Sequence, residues 1–333
     1  MARPRSEKVQ QLKRHLLSRI EEGYSRPGDR FLSNRALSTQ FGISYQTAHR
    51  LIAELEQEGH LLRNLGSGTY VAGDSKVPQI VDFILNSRAK EAGTFGHYLK
   101  GLIQDTFQSR GIPFAIRYAT EVVKLEHRSY PVLWECGPGL ERLMKTAGFG
   151  MLLDEMPPTG IENPFVDSVE VDDFAGGVLA GQVFKKRWKC SDPSIFAGPK
   201  GDQRSEKRVQ GFLSVFPNAC VTHSSDWHYE SALKTVDKIG KRHPTGIFCA
   251  NDRLAQAIAT HYRARQESPP HIMGFDNAPI SQETGLSTVA IPWEEFVDAI
   301  AELAERRLKG YNGTARRIVL APRILFRGKA QLE

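Results

Sequence analysis

The 333-residue sequence predicts an α/β chain in two unequal parts. Three observations support this. Helical periodicity, punctuated by glycine and serine, fills most of the first sixty or so positions. Two short β-prone runs pinched by Gly66-Ser67-Gly68 follow at once. From residue 80 onward, apolar strand-like runs alternate with helical stretches, the pattern of parallel sheets covered on both faces.

The first helix is read over 6–22, where Val9, Leu12, Leu16 and Ile20 recur at helical spacing and Ser6 is placed to cap. Gly23 stops it, and Pro27-Gly28-Asp29 makes a turn. Ser33 caps a second helix, 34–40, with Ala36, Leu37 and Phe41 inward, and Gly42 ends it. Ser44 caps a third, 45–58, whose Ala48, Leu51, Ile52 and Leu55 form an apolar stripe. Tyr45, Gln46, His49 and Arg50 lie on its opposite side. Two short helices joined by Gly-Ile-Ser form a helix-turn-helix pattern, in which the start of the second helix meets base edges. Its free amides and positive dipole end also suit phosphate. The runs 61–63 and 69–71, joined through Gly66-Ser67-Gly68, form a wing whose glycines allow a tight turn and close backbone approach; Arg63 adds charge beside it.

Residues 8–72 resemble the winged-helix domain of the GntR family of bacterial repressors. The stretches that carry the likeness are PGDRF (27–31), SNRALSTQFGIS (33–44), TAHRLIAELEQEGHL (47–61) and GSGTYV (66–71). The resemblance implies DNA contact by Arg35, by Ser44, Tyr45, Thr47 and His49, and by Gly66. Gln46 and Arg50 share the same face. The family usually has arginine where this chain has Tyr45, and often where it has His49. Arginine is the common bidentate reader of guanine, so the expected operator differs from the family's usual one.

Residues 73–79 read as a linker between a DNA-binding domain at 1–72 and a larger domain at 80–333. In the larger part, strands are expected at 80–85, 113–118, 131–135, 149–153, 194–198, 219–222, 246–250, 271–275 and 287–291. Helices are expected at about 95–110, 139–147, 173–187, 203–215, 227–241, 252–265 and 293–309. A stretch of this length implies two lobes, with ligand bound at strand C-termini in the cleft between them. Asp154, Asn251 and Asp276 sit at strand ends, Arg208 lies one helix after a strand, and Trp227 opens a later helix. Carboxylates and an amide grip paired hydroxyls while an indole stacks on a C–H face, so this is a polyol-binding set. Asp252 and Asp226 are equally open to a plainer role as helix N-caps.

Residues 78–330 resemble the effector domain of LacI/GalR repressors, related to periplasmic sugar-binding proteins. The matching stretches are VEVDDFAGGVLAGQVF (169–184), GPKGDQRSEKRVQGF (198–212), GIFCANDRLAQAIA (246–259), IMGFDNAP (272–279) and APRILFRG (321–328). The resemblance implies sugar contact by Arg208, Asn251 and Asp276, with Trp227, Asp154 and Phe95 as further contacts. Here ILNSRAKEAGTFGHYL replaces the family's N-P-F segment, and the linker is too short for a minor-groove hinge helix. The combination is similar to that of arabinose-responsive repressors. It implies a homodimer on a palindromic double-stranded operator, controlled by a sugar effector.

Composition fits. The net charge is +6, with twelve Lys/Arg against eight Asp/Glu in residues 1–76 and 32 against 30 in the rest, so the positive excess concentrates at the end expected to meet DNA. No apolar run is long enough to span a membrane, and the N-terminus lacks a secretory core, which favours the cytoplasm. The four cysteines are far apart without CxxC and read as reduced, buried thiols. No cofactor, metal or catalytic residue is expected. An enzyme on an α/β scaffold is the alternative in a different class, but no P-loop, nucleophile elbow, H-E-x-x-H or dinucleotide-binding glycine motif is present. A large domain that only dimerises, or that holds a non-sugar ligand, is the other open reading.

Overall fold

The computed structural model describes residues 7–21, 25, 29–64, 68–72, 78–91, 94–122, 129–137, 150–154, 166–311 and 313–328. Helices α1 (Glu7–Glu21), α2 (Asn34–Phe41) and α3 (Tyr45–Gln57) precede an antiparallel hairpin of β1 (Leu61–Asn64) and β2 (Gly68–Val71). The periodic apolar positions share one core: Leu12, Leu16 and Ile20 of α1 pack with Leu37 and Phe41, with Ala48, Leu51, Ile52 and Leu55, and with Leu61 and Val71. The stretch after the first turn is a third strand-like edge, because Arg30 bridges to Tyr70 while the Phe31 amide donates to Thr69 O at 2.7 Å. The expected Ser6 cap, the Gly23 stop and the Pro27-Gly28 corner lie outside the described residues, as do Gly66 and most of the 73–79 linker.

The chain divides into two compact units. One comprises residues 1–91, 99–170 and 294–318, and the other 92–98, 171–293 and 319–333. The first contains, besides the helices above, β3 (Ile80–Leu85), β4 (Phe114–Tyr118), β5 (Ser129–Trp134) and β6 (Gly150–Leu153). With β7 (Val166–Val171) and β13 (Arg317–Leu320) at the far edge, they form a sheet in the order β13-β7-β6-β5-β3-β4, parallel from β7 to β4. Helix α4 (Phe95–Ser109) buries Leu99, Ile103 and Phe107, the last edge-on to Phe83 of β3 at 4.9 Å.

In the second unit, β8 (Pro193–Ala197), β9 (Cys220–His223), β10 (Gly246–Cys249), β11 (His271–Asp276) and β12 (Ser287–Ala290) are mutually parallel, with β14 (Arg323–Leu325) antiparallel on β12. Helices α5 (Asp173–Gln182) and α6 (Gln203–Leu213) pack backbone to backbone. A Cβ on Gly177 would sit 2.1 Å from Arg208 O, and one on Gly211 would sit 2.1 Å from Phe174 O. The glycines of the 169–184 and 198–212 stretches therefore set the distance between two helices.

Three expectations need correction. Strand β7 (VDSVEV) was not anticipated, because its polar Asp167, Ser168 and Glu170 hide the apolar run; these residues are buried, with Asp167 paired to Arg307 and Glu170 to Arg317. The single helix expected at 227–241 is two, α7 (Tyr229–Leu233) and α8 (Val236–Gly240), broken at Thr235 with φ −112°. The helix expected at 173–187 ends at Gln182 and continues as a π-turn over Val183–Arg187. The helix expected at 139–147 lies outside the described residues.

Gly177→Ala is expected to destabilise the chain by about 1–3 kcal/mol, since overpacking must separate α5 from α6. Gly101→Ala in α4, where a Cβ meets nothing within 4 Å, is expected instead to stabilise by about 0.5–1 kcal/mol. Urea unfolding of the two variants checks the pair.

Candidate DNA-reading face and effector site

The reading face is built by two caps. Ser33 Oγ accepts from the Ala36 amide at 3.1 Å, and Ser44 Oγ accepts from the Thr47 amide at 3.1 Å while lying 2.8 Å from Thr47 Oγ1. Gly42, at φ 56°, takes the left-handed cap that a side chain would resist, and so turns α2 into α3. Arg35, Ser44, Tyr45, Gln46, His49 and Arg50 are all exposed, with Thr47 half-buried. Tyr45 is 57% exposed, an unusual position for an aromatic unless it meets a partner. Its hydroxyl is 3.5 Å from Asn34 Nδ2, which holds it over the α2 start.

Arg63 is exposed but lies 3.7 Å from Glu56, so part of its charge is answered within the domain. Arg30 was not singled out from the sequence. It is exposed, and its guanidinium lies along the wing, 3.1 Å from where a Cβ on Gly68 would be. Its only sequence signal was its place in the PGDRF stretch.

The second constellation lies in the second unit. Strands β11, β10 and β8 are adjacent and parallel, so their C-terminal ends share one edge. Arg208, 3% exposed, reaches this edge from α6. Its Nε donates to Asp173 at 2.7 Å, and its Nη1 donates to Ala250 O at 2.6 Å and to Asp276 at 2.9 Å. The Phe275 ring lies under the guanidinium at 3.8 Å. Trp227 packs over Gly198, where a Cβ would meet the ring at 2.4 Å, and its indole donates to Asp202 at 3.0 Å.

Helix α9 (Asp252–Ala264) begins at this edge. Its cap is Asn251, whose Oδ1 accepts from the Leu254 amide at 2.8 Å while its Nδ2 donates to Trp227 O at 3.3 Å. The cap is therefore the residue expected at the ligand, and Asp252 is instead buried in the sheet. It accepts from the Ala278 amide and from Thr288 Oγ1, both at 2.7 Å. Gly274 makes room for it, since a Cβ there would lie 2.2 Å from its carboxylate. Asp226 accepts from the His228 amide and from Ser231, two residues ahead of the cap position of α7 (Tyr229–Leu233).

Phe95 stacks against Trp293 at 4.2 Å, and the Trp293 indole donates to Asp276 O at 2.8 Å. The structure thus brings Arg208, Trp227, Asn251, Asp276 and Phe95 into one neighbourhood. Asp154 stands in the first unit, at the end of β6, at φ 55°. Sequence reading missed Asp173, Asp202 and Trp293. The two aspartates stood in stretches already quoted, whereas Trp293 had no motif around it.

Burial pushes the Asp276 carboxyl up to about 6, against the pull of Arg208. Burial, reinforced by Asp276, pushes Asp252 up to about 8. An edge offering carboxylate, amide and indole surface can accept and donate to hydroxyls at once, which suits a polyol. Among the described residues no group of His, Cys, Asp or Glu is arranged to hold a metal ion, and no helix is long and apolar enough to cross a membrane.

Residues 8–71 match the bacterial regulatory proteins of the gntR family, and residues 195–328 match the periplasmic binding protein-like domain. The chain joins a gntR-type helix-turn-helix segment to a periplasmic binding protein-like domain. The arabinose metabolism transcriptional repressor of Halalkalibacterium halodurans is 22% identical, covering 95% of this chain and 94% of that one. The repressor PurR of Proteus mirabilis is 27% identical over 49% of this chain and 51% of its own length. A LacI family regulator from Enterococcus faecium, solved with bound ribose, has a TM-score of 0.64 at 19% identity, covering 74% of this chain and 97% of that one. That likeness shows the fold of the matched part of the chain.

The protein is expected to lose stability as pH rises from about 4 to 8, through Asp252. Below the ordinary carboxylate value of 3.8 it is protonated whether folded or unfolded, and its contribution is complete. Above that, the unfolded chain releases the proton while the folded chain keeps it up to about 8. The slope from this one group approaches about 1.4 kcal/mol per pH unit. Asp252→Asn should flatten that part of the profile, read by urea midpoints at successive pH values.

Proposed function

We propose that this regulator represses carbohydrate-utilisation genes in the cytoplasm, and that a small sugar-like effector controls it. Arg35, Ser44, Tyr45, Gln46, Thr47, His49, Arg50, Arg63 and Gly66 are assigned to DNA, joined by Arg30. Arg208, Trp227, Asn251, Asp276, Phe95 and Asp154 are assigned to the effector. The observation that carries the DNA assignment is the capped, solvent-facing first turn of α3, which presents polar side chains and free amides together. The effector assignment is supported by the satisfied Arg208 network, which holds Asp276 in place before any ligand arrives.

The regulator binds as a homodimer, each copy placing its α3 in one half-site of a palindrome. Half-sites then lie one helical turn apart or a multiple of it. Phosphate contacts by arginine and lysine make affinity fall steeply with salt. No catalytic step is assigned to the strand-end edge, because its carboxylates are engaged by Arg208, Thr288 and backbone amides.

In a mobility-shift titration, full-length protein is expected to prefer a palindromic fragment from its own promoter region over random duplex. Equal affinity for both would refute the DNA assignment. Tyr45→Ala should reduce that preference, at about 1–3 kcal/mol for a lost base contact.

In a thermal-shift screen of pentoses and hexoses, the effector at a hundredfold excess over Kd should stabilise the fold by about 2.7 kcal/mol. Asp276→Ala should remove that response and leave DNA binding intact.

A further inference from the structure

Trp227 is half-buried and held at three points. Its benzo end rests against Gly198, just past β8, where a Cβ would come within 2.4 Å of the ring. Its carbonyl accepts from Asn251 Nδ2 at 3.3 Å. Its indole N–H, the ring's one polar group, donates to Asp202 Oδ2 at 3.0 Å. We propose that Asp202 is a positioning residue, which fixes the plane of Trp227 and so the surface on which the effector stacks. This rests on the sugar reading above and names a residue outside the contacts assigned there.

Asp202 is also the N-cap of α6. Its Oδ1 accepts from the Arg204 amide at 3.0 Å and the Ser205 amide at 3.1 Å. Its Oδ2 accepts from the indole and from Arg204 Nη2, the latter at 3.2 Å. A carboxylate has about four lone-pair sites, and these four donors fill them. No acceptor site is left for a ligand hydroxyl, so Asp202 acts through Trp227 and not by touching the effector. Burial pushes its carboxyl up, but Arg204, the Ser205 amide and the indole outweigh burial and hold it below the usual carboxylate range. The acceptor facing the indole is therefore ionised at neutral pH.

An indole turns about two side-chain bonds. The contact with Gly198 limits where the ring sits, and the bond to Asp202 fixes which way its edge points. The ring is thus oriented before a ligand arrives, and the ligand need not order it. The same helix carries Arg208, whose guanidinium carbon lies 5.9 Å from the ring centre, with that of Arg204 at 5.7 Å. The cap of α6 thereby ties the stacking surface to the guanidinium that holds Asp276. Asparagine and serine cap helices about as well as aspartate, so the helix alone does not call for a carboxylate here.

The test compares full-length wild-type protein with Asp202→Asn and Asp202→Ser. Both replacements still cap a helix, so the fold should survive, which the urea midpoint without sugar checks. Asparagine turns an N–H donor toward the indole, and serine falls short of it. The first readout needs no sugar. The chain has four tryptophans, so acrylamide quenching is measured with and without Trp227→Phe, and the difference isolates Trp227. That difference should rise in both Asp202 variants.

The second readout is calorimetric affinity for whichever of arabinose, ribose, xylose, glucose and galactose stabilises wild-type protein most. Each variant should bind it about tenfold more weakly, the loss of one hydrogen bond to a charged group. In a Trp227→Phe background, which keeps a ring but no N–H, the same changes should cost less than about twofold. An equal loss with and without the indole N–H would make Asp202 a general support of α6 and overturn the proposal. Unchanged quenching of Trp227 in both variants would overturn it too. If none of these sugars stabilises wild-type protein, it is the sugar reading that fails, and the quenching result alone decides whether Asp202 holds the ring.

Discussion

Arg208 is a guanidinium with almost no access to water, shared by Asp173, Asp276 and the carbonyl of Ala250. Removing a cation from water is costly, and the cost is met only when every donor finds a partner in good geometry. That demand fixes much around it. Helix α6 must approach α5 closely enough for Arg208 to reach Asp173, which the facing Gly177 and Gly211 allow. The ends of β10 and β11 must stand side by side, because Ala250 and Asp276 are both bonded to one nitrogen. Phe275 must lie flat beneath it. A buried ion network of this kind does little for net stability but leaves few other ways to arrange the edge.

The reading domain follows the opposite logic. Its caps and core are ordinary, and its distinctive residues point at solvent. Tyr45 spends an exposed aromatic ring where a guanidinium would commonly stand. Such a ring can stack, or reach with one hydroxyl, but it cannot grip guanine with two parallel hydrogen bonds. The wing's Arg63 is partly satisfied by Glu56, while Arg30 lies along the hairpin, so the wing's positive charge is shared by two segments distant in sequence.

Much of this was legible in the sequence where a residue's role is local. The stripes Leu12-Leu16-Ile20 and Ala48-Leu51-Ile52-Leu55 named the core of the first three helices, and Ser33, Gly42 and Ser44 named their boundaries. The motifs around Arg208, Asn251 and Asp276 placed them at or after strand ends, and the structure sets them beside one strand-end edge. What escaped depended on distant partners. Strand β7 is polar by composition and becomes a buried strand only because Arg307 and Arg317 arrive from residues far along the chain. Asp252 resembled a helix cap until Gly274 and Thr288, on neighbouring strands, supplied a place for it inside the sheet. Trp293 carries no motif, and its tie to Asp276 exists only through tertiary packing.

The loop after β11 owes its shape to the far tail of the chain. Asp276 and Asn277 both have positive φ, and Asn277 Oδ1 accepts from Arg327, whose other nitrogen reaches Ser281 and Leu286 O. A growing polypeptide leaving the ribosome would therefore hold Arg208, Asn251 and Asp276 well before the strap that fastens their loop. The residues of the strand-end edge can therefore all be in place while the loop that carries Asp276 still lacks its fastening.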